Sequence, residues 1–251
     1  MKGRIAFIVI LTVAAAVAAF VVPPVSQPLD YHAFADARTM LGVPRFLDVV
    51  SNLSFLIVGA IGLAIMALRP AAFASPAEKW PYYVFFVGLA LTCAGSGFYH
   101  LAPDNPRLVW DRLPITTTLA GLLISQIGDR VNVRLANTLL LPAVVIGAAS
   151  AWYWHVTDNL VPYLTAQIYA AVATFLIALL FRSRYTHGYY LYWAFAWFVM
   201  SKVFETYDQQ TYRALGFVSG HTLKHLAAAA AGLAICQMLA KRTRSPAPAS
   251  P

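Results

Sequence analysis

The sequence predicts an all-α membrane protein with eight candidate spanning helices, or seven if the first is removed as a signal peptide. Two observations point there and a third removes the alternative. Apolar residues fill 60% of the 251 positions and charged ones only 11%, and the mean hydropathy of +0.65 lies outside the usual range for a soluble domain of this length. The apolar residues are gathered near 5–22, 46–68, 80–101, 110–127, 137–154, 161–181, 188–204 and 219–240, mostly close to the ~20 residues with which a helix crosses ~30 Å of hydrocarbon. Runs such as IAFIVILTVAAAVAAFVV do not alternate, which excludes the closed β-barrel, the other architecture that can span a bilayer.

The first stretch follows Lys2 and Arg4 and continues through Val22 to Pro23-Pro24. It reads as an uncleaved signal-anchor or extra transmembrane helix over residues 1–22. Ala16-Val17-Ala18 also fits a small-x-small cleavage site, but the triplet lies inside the apolar run. Residues 23–45 follow as an outer loop.

The net charge of +8 does not point to nucleic acid, because the basic residues are scattered in pairs between spans and form no clustered face for phosphates. Their placement sets topology instead. With the N-terminus cytoplasmic, eleven basic residues fall on the inner side and seven on the outer, the orientation that the positive-inside tendency favours. Both termini are then cytoplasmic, in a multi-pass protein of the cell membrane. Cys93 falls mid-span and Cys236 near the inner end of the last span, too different in depth for a disulfide. The tail, 241–251, ending RTRSPAPASP, is expected to be disordered.

Ionisable residues within spans are costly and mark sites facing the bundle interior. The stretch GSGFYHLAPDNPRLVWDRLP, residues 95–114, puts Ser96 and His100 on one face of the third span's last two turns, since i and i+4 are neighbours on a helix. The fourth span opens with Trp110-Asp111 at the same outer depth. The last span descends as GHTLKHLAAAAAGLAI, with His221 and His225 in its opening turns, again i and i+4. Three imidazoles, a carboxylate and a hydroxyl at one depth point to a metal. Zinc in catalytic sites commonly takes three protein ligands and keeps a fourth position for a water whose pKa it lowers to about 7. His100, His221 and His225 are the candidate ligands, Asp111 the group that holds or deprotonates the water, and Ser96 the donor to an oxyanion. Haem is the alternative partner for membrane histidines, but paired i, i+4 histidines at one depth suit a small ion better than two faces of a porphyrin. His32, His155 and His187 read as ordinary polar residues.

With S-x-x-x-H, an aspartate eleven residues after that histidine, and H-x-x-x-H on the final span, the sequence resembles the alkaline ceramidase family. That family belongs to a wider group of seven-helix membrane hydrolases which includes the adiponectin and progestin receptors. The resemblance covers roughly residues 46–240 in span order. It implies a seven-helix zinc hydrolase core over 46–240, with 1–22 an added N-terminal span, and a zinc-dependent amidase that cleaves the N-acyl bond of ceramide to a sphingoid base and a fatty acid. It implies zinc on His100, His221 and His225, water activation by Asp111, and assistance to the metal or oxyanion by Ser96. The family also holds calcium in an acidic segment before its first core helix. The matching region here, LDYHAFADARTMLGVPRFLDVVSN, offers Asp30, Asp36 and Asp48 without a glutamate, and Arg38 and Arg45 oppose a dication that wants six to eight oxygens. This argues against calcium. Asp36 is expected to pair with an arginine instead, and Asp48, Ser51 and Asn52 to tie the start of the second span to its neighbours.

A membrane lipid, ceramide or another N-acyl lipid, is the expected partner, reaching the site laterally with its chains in apolar surroundings. Lys224 either snorkels to headgroups or pairs with Glu205 or Asp208. Two other readings stay open: a hydrolase of other lipids, and a receptor-like or scaffold protein with structural zinc. Asp111 favours an enzyme, because a structural site has little need of an acid beside three neutral ligands. A transporter is disfavoured by the lack of interrupted helices in matched halves.

Overall fold

The computed structural model describes residues 2–245, and the fold is all-helical. Ten α-helices follow in order: α1 (Lys2–Val21), α2 (Phe46–Val50), α3 (Leu53–Leu68), α4 (Trp80–Leu101), α5 (Asn105–Arg130), α6 (Val133–Thr157), α7 (Val161–Leu180), α8 (Tyr190–Thr206), α9 (Asp208–Leu215) and α10 (Gly220–Lys241). Local chemistry explains where the long ones begin. Proline stands in the first turn of α4, α5 and α7, where its missing N–H costs nothing. Asp104 caps α5 by accepting from the Arg107 N–H at 2.7 Å. Asn132 caps α6 by accepting from Leu135 at 3.0 Å, and Ser219 caps α10 by accepting from Thr222 at 3.0 Å.

Helices α3, α4, α5, α7, α8 and α10 form a ring around an interior cavity, α6 packs outside on α5 and α7, and α1 lies against α7. No residue of α1 is buried; it is tied to α7 by Thr12 Oγ1 at 2.7 Å from Tyr169 Oη and by Arg4, which donates to the Leu180 carbonyl at 2.7 Å. The outer surface stays apolar, with Ile57, Leu91, Leu141, Ile146 and Trp193 all exposed, the surface a lipid solvent requires. At the α4/α5 crossing, Pro114 lacks the N–H that would bond the Trp110 carbonyl, and Gly95 faces that carbonyl so closely that a Cβ would collide with it. Close approach there brings the end of α4 beside the start of α5.

Among the described residues, six helical segments are long and apolar enough to cross a membrane: Lys2–Val21, Phe46–Leu68, Pro76–Leu101, Val133–Thr157, Val161–Leu180 and Gly220–Lys241. The other two expected spans correspond to α5 and α8. Helix α5 is long but carries Asp111, Arg112, Gln126 and Asp129, all buried toward the bundle interior, and α8 has 17 residues. Three departures from the sequence reading have local causes. Helix α5 begins at Asn105 rather than near 110, because Asp104 and Pro106 start it. The second stretch is broken between α2 and α3 at Ser51–Asn52, where the Asn52 side-chain amide donates to the Asp48 carbonyl at 2.7 Å. A short amphipathic helix, α9, occupies what reads as a loop before α10.

The tail expectation is corrected at its start. Arg242 is buried, donating to Asp129 Oδ2 at 2.8 Å and to the Ala72 carbonyl at 2.8 Å, so residues 241–245 are fastened to the end of the bundle opposite the histidines. Asp129 also accepts from the Tyr82 hydroxyl at 2.8 Å, which explains how a charged pair is tolerated there. The remainder of the expected tail, 246–251, lies outside the described residues. Cys93 and Cys236 are unpaired.

Candidate metal centre

His100 ends α4, and His221 and His225 open α10; all three are buried, and one nitrogen from each lies within 4.8 Å of the others. The ring centroids are 4.7 to 5.0 Å apart, and the Nε2 atoms of His100 and His221 stand 3.2 Å from each other. Two neutral imidazoles can share only one proton across such a gap, so three converging rings leave lone pairs without donors. Imidazole donors in that arrangement suit a borderline transition metal of the zinc type better than a hard cation, which prefers oxygen. The residues present therefore fit a metal ion.

Neighbouring groups hold this cluster in place. His225 Nδ1 lies 2.8 Å from Ser51 Oγ, and the Ser51 hydroxyl in turn lies 3.2 Å from the Asp48 carbonyl. The hydroxyl donates to the carbonyl and accepts Nδ1–H, which leaves the lone pair of His225 on Nε2, a typical outer-shell arrangement for a ligating histidine. The first turn of α10 is held from three sides. Asp208 Oδ1 accepts the His221 N–H at 2.7 Å, and Asp48 Oδ1 accepts from Thr222 Oγ1 at 2.6 Å and Ser219 Oγ at 3.1 Å. A Cβ at Gly220 would strike the Phe204 carbonyl, so the last turn of α8 also sets where α10 begins. Asp48 and Ser51 thus tie the second span to α10, and the break after α2 aims them there.

Asp111 and Ser96 are buried, face each other, and line a cavity of about 350 Å³ together with His225. The polar end of that cavity also holds Arg112, Lys202, Glu205 and Lys224; below it the walls are apolar, with Leu122, Phe175, Phe195 and Ile235. Helices α7 and α8 face one another across it and touch only sparingly. Lys224 pairs with Glu205, Nζ to Oε1 at 2.5 Å, which decides between the two partners named from the sequence. Asp208 is committed to backbone amides, that of Ala35 at 2.8 Å being the second.

The segment 23–45, expected as a connecting loop, is a cap. Phe34 lies with its ring centroid 4.8 Å from that of His100 and 4.3 Å from that of His221. His32 braces the cap from both ring nitrogens, Nδ1 2.8 Å from Tyr99 Oη and Nε2 3.0 Å from Asn105 Oδ1. The Tyr31 hydroxyl donates to Glu205 at 3.3 Å; burial, and then the charge of Glu205, hold that phenol well above its ordinary pKa, so it remains a donor. Asp36 accepts two guanidinium bonds from Arg38, at 2.8 and 2.6 Å, and the Arg38 side chain lowers its pKa. Asp30, Asp36 and Asp48 do not gather around a common point among the described residues. His155 stands beside Trp152 at the end of α6, and His187 lies against Thr186 in the turn before α8, both away from the centre.

All five polar residues singled out from the sequence lie at this end of the bundle. Sequence reasoning missed the site roles of Phe34, Arg112 and Asp208. Phe34 and Asp208 sit in connections that carry no periodic signal, and Arg112 reads in the sequence only as one of the seven outer basic residues. No family model, curated protein or solved structure matches the chain.

Proposed function

We propose that the chain is an intramembrane zinc-dependent lipid amidase, ceramidase-like, that hydrolyses the N-acyl bond of ceramide or a related N-acyl lipid to an amine and a fatty acid. The observation that carries this reading is the cluster of three buried imidazoles from α4 and α10, of which His225 lines an apolar cavity whose polar end holds Asp111 and Ser96. An acid and a hydroxyl have no evident task in a purely structural metal site. The motif resemblance to alkaline ceramidases supports the same choice. We place eight spans in the membrane, α5 and α8 among them: α5 turns its charges inward, and α8 lies along α10. Both termini are then cytoplasmic and the centre faces the outer side.

His100, His221 and His225 would hold the ion. A zinc ion held there would supply Lewis acidity toward the amide carbonyl and a water reactive at neutral pH. Asp111 takes the proton of the attacking water and returns it to the leaving nitrogen, while Ser96 donates a hydrogen bond to the charge that develops on the carbonyl oxygen. The water oxygen bonds to the acyl carbon, the C–N bond breaks, and the amine leaves carrying that proton. Phe34 closes the centre on the cap side, and the apolar walls between α7 and α8 accept the acyl chain.

Metal analysis of the purified protein, with mass-spectrometric assay of hydrolysis across a panel of N-acyl lipids, tests the proposal. One zinc per chain with amide cleavage is the expected result. Retained metal without turnover of any lipid would favour a receptor or scaffold with structural zinc.

A further inference from the structure

Arg112 is the one cation at the polar end with which no carboxylate among the described residues pairs. Its side chain is buried, with 4% of the residue exposed, yet among the described residues no carboxylate forms an ion pair with it. The other buried arginine, Arg242, pairs with Asp129, and the half-buried Lys224 pairs with Glu205. Arg112 has only a neutral acceptor, Gln27 Oε1 at 2.5 Å from Nη2, and its Nη1 has no hydrogen-bond partner. Lys202 is partly exposed, so the enclosed charges there are Arg112 and Lys224 against Asp111 and Glu205, and a dication on three neutral histidines would leave a positive excess. Burying such an excess is unfavourable unless a ligand supplies the anion.

The guanidinium is also held ready. Its carbon lies 3.8 Å from the Trp154 ring centroid and 4.6 Å from that of Tyr163, which holds the guanidinium in place, so an anion that displaced the Gln27 amide from Nη2 would meet an edge whose Nη1 has no acceptor. A carboxylate matches that edge with two parallel bonds. Arg112 and Asp111 both line the polar end of the one cavity, so an anion at Arg112 and an amide at Asp111 can belong to one ligand.

We propose that Arg112 selects N-acyl amino acids, lipids with a carboxylate one carbon from the amide nitrogen, over neutral N-acyl amines. The inference rests on the amidase reading for the reaction, which is the hydrolysis already described with a free amino acid as the amine product. The carboxylate sits on Arg112, the amide at Asp111 and Ser96, and the acyl chain runs between α7 and α8.

N-palmitoylglycine and N-palmitoylethanolamine test this, because they share chain and amide and differ only in carboxylate against hydroxymethyl. The wild type is expected to favour the glycine lipid by about tenfold to a hundredfold in kcat/KM, the scale of a charge-assisted hydrogen-bond pair. Arg112→Gln is expected to bring that ratio close to one. Gln27→Glu, which leaves the stacked arginine in place and gives it a tethered carboxylate, is expected to do the same. A ratio near one in the wild type, or a preference that survives both substitutions, overturns the proposal. Competition of the two lipids against a fluorescent long-chain amide on metal-stripped protein reads the preference without turnover. Preference in binding with neither lipid hydrolysed would sink the amidase reading and leave Arg112 as an anion site; hydrolysis of both without preference would do the reverse.

Discussion

His100 and His221 face each other with Nε2 atoms 3.2 Å apart across 121 positions of sequence. Two ring nitrogens in direct contact can share only one proton, so an electron-pair acceptor among them and His225 accounts for the arrangement. His100→Ala is therefore expected to lower bound metal from about one ion per chain to almost none, since two ligands rarely retain zinc against solvent. Elemental analysis after gel filtration checks it, with helix content by circular dichroism as the folding control. Full metal retention in this variant would place the ion elsewhere.

Ser51 accepts Nδ1–H of His225 and should tune metal affinity without binding the ion. Ser51→Ala is expected to weaken zinc binding by roughly 10–100-fold, measured by competition with a chelator, whereas Ser51→Thr keeps the hydroxyl and should stay near wild type. Equal affinity in the alanine variant would show that the ring needs no such orientation.

Asp111 is assigned the proton transfer, so Asp111→Asn is expected to reduce kcat by about 10²–10⁴-fold while the zinc content is unchanged. Turnover and metal content are measured on the same preparation. A small loss of rate would move the proton-transfer role to another group.

The cap should respond to acid through Asp36. Arg38 holds the Asp36 carboxyl below its ordinary value in the folded state. The pair's contribution is thus fully present above the unfolded aspartate value of about 3.9 and is lost as the pH falls through the lowered folded value. Hydrogen exchange of residues 33–45 is expected to be faster in Asp36→Asn than in the wild type at neutral pH, and the two should converge as the solution is acidified. Identical exchange at neutral pH would mean that the pair does not hold the cap.

At the opposite end, Arg242→Ala would leave Asp129 buried without its cation. Removing one partner of such a pair costs roughly 3–5 kcal/mol, read as a lower Tm in detergent, and Asp129→Asn in the same chain should recover part of it. No loss of stability would mean that the C-terminal segment is not fastened through this pair.

Much of the membrane architecture could be read in advance because lipid imposes a one-dimensional rule. A span must be long, apolar and helical, and α1, α3, α4, α6, α7 and α10 obey it. Helix α5 blurs the rule, since its buried Asp111, Arg112, Gln126 and Asp129 are answered by neighbours that sequence distance hides. The break after α2 and the short α9 were likewise hidden, because the side chains of Asp48, Ser51 and Asp208 reach partners on α10 that lie far away in sequence.

For the centre, spacing alone put Ser96 beside His100 and His221 beside His225, since a helix repeats about every fourth residue, and alternation of spans put both pairs and Asp111 at one depth. Tertiary structure decided everything that depends on approach between distant segments: the Gly95 crossing that sets α4 against α5, the Phe34 cap over the rings, the Glu205 partner of Lys224 and the lack of a paired carboxylate at Arg112. Periodicity along one helix is a property of the local chain. Whether a buried charge finds its counterpart is settled only when helices from separate parts of the chain pack together.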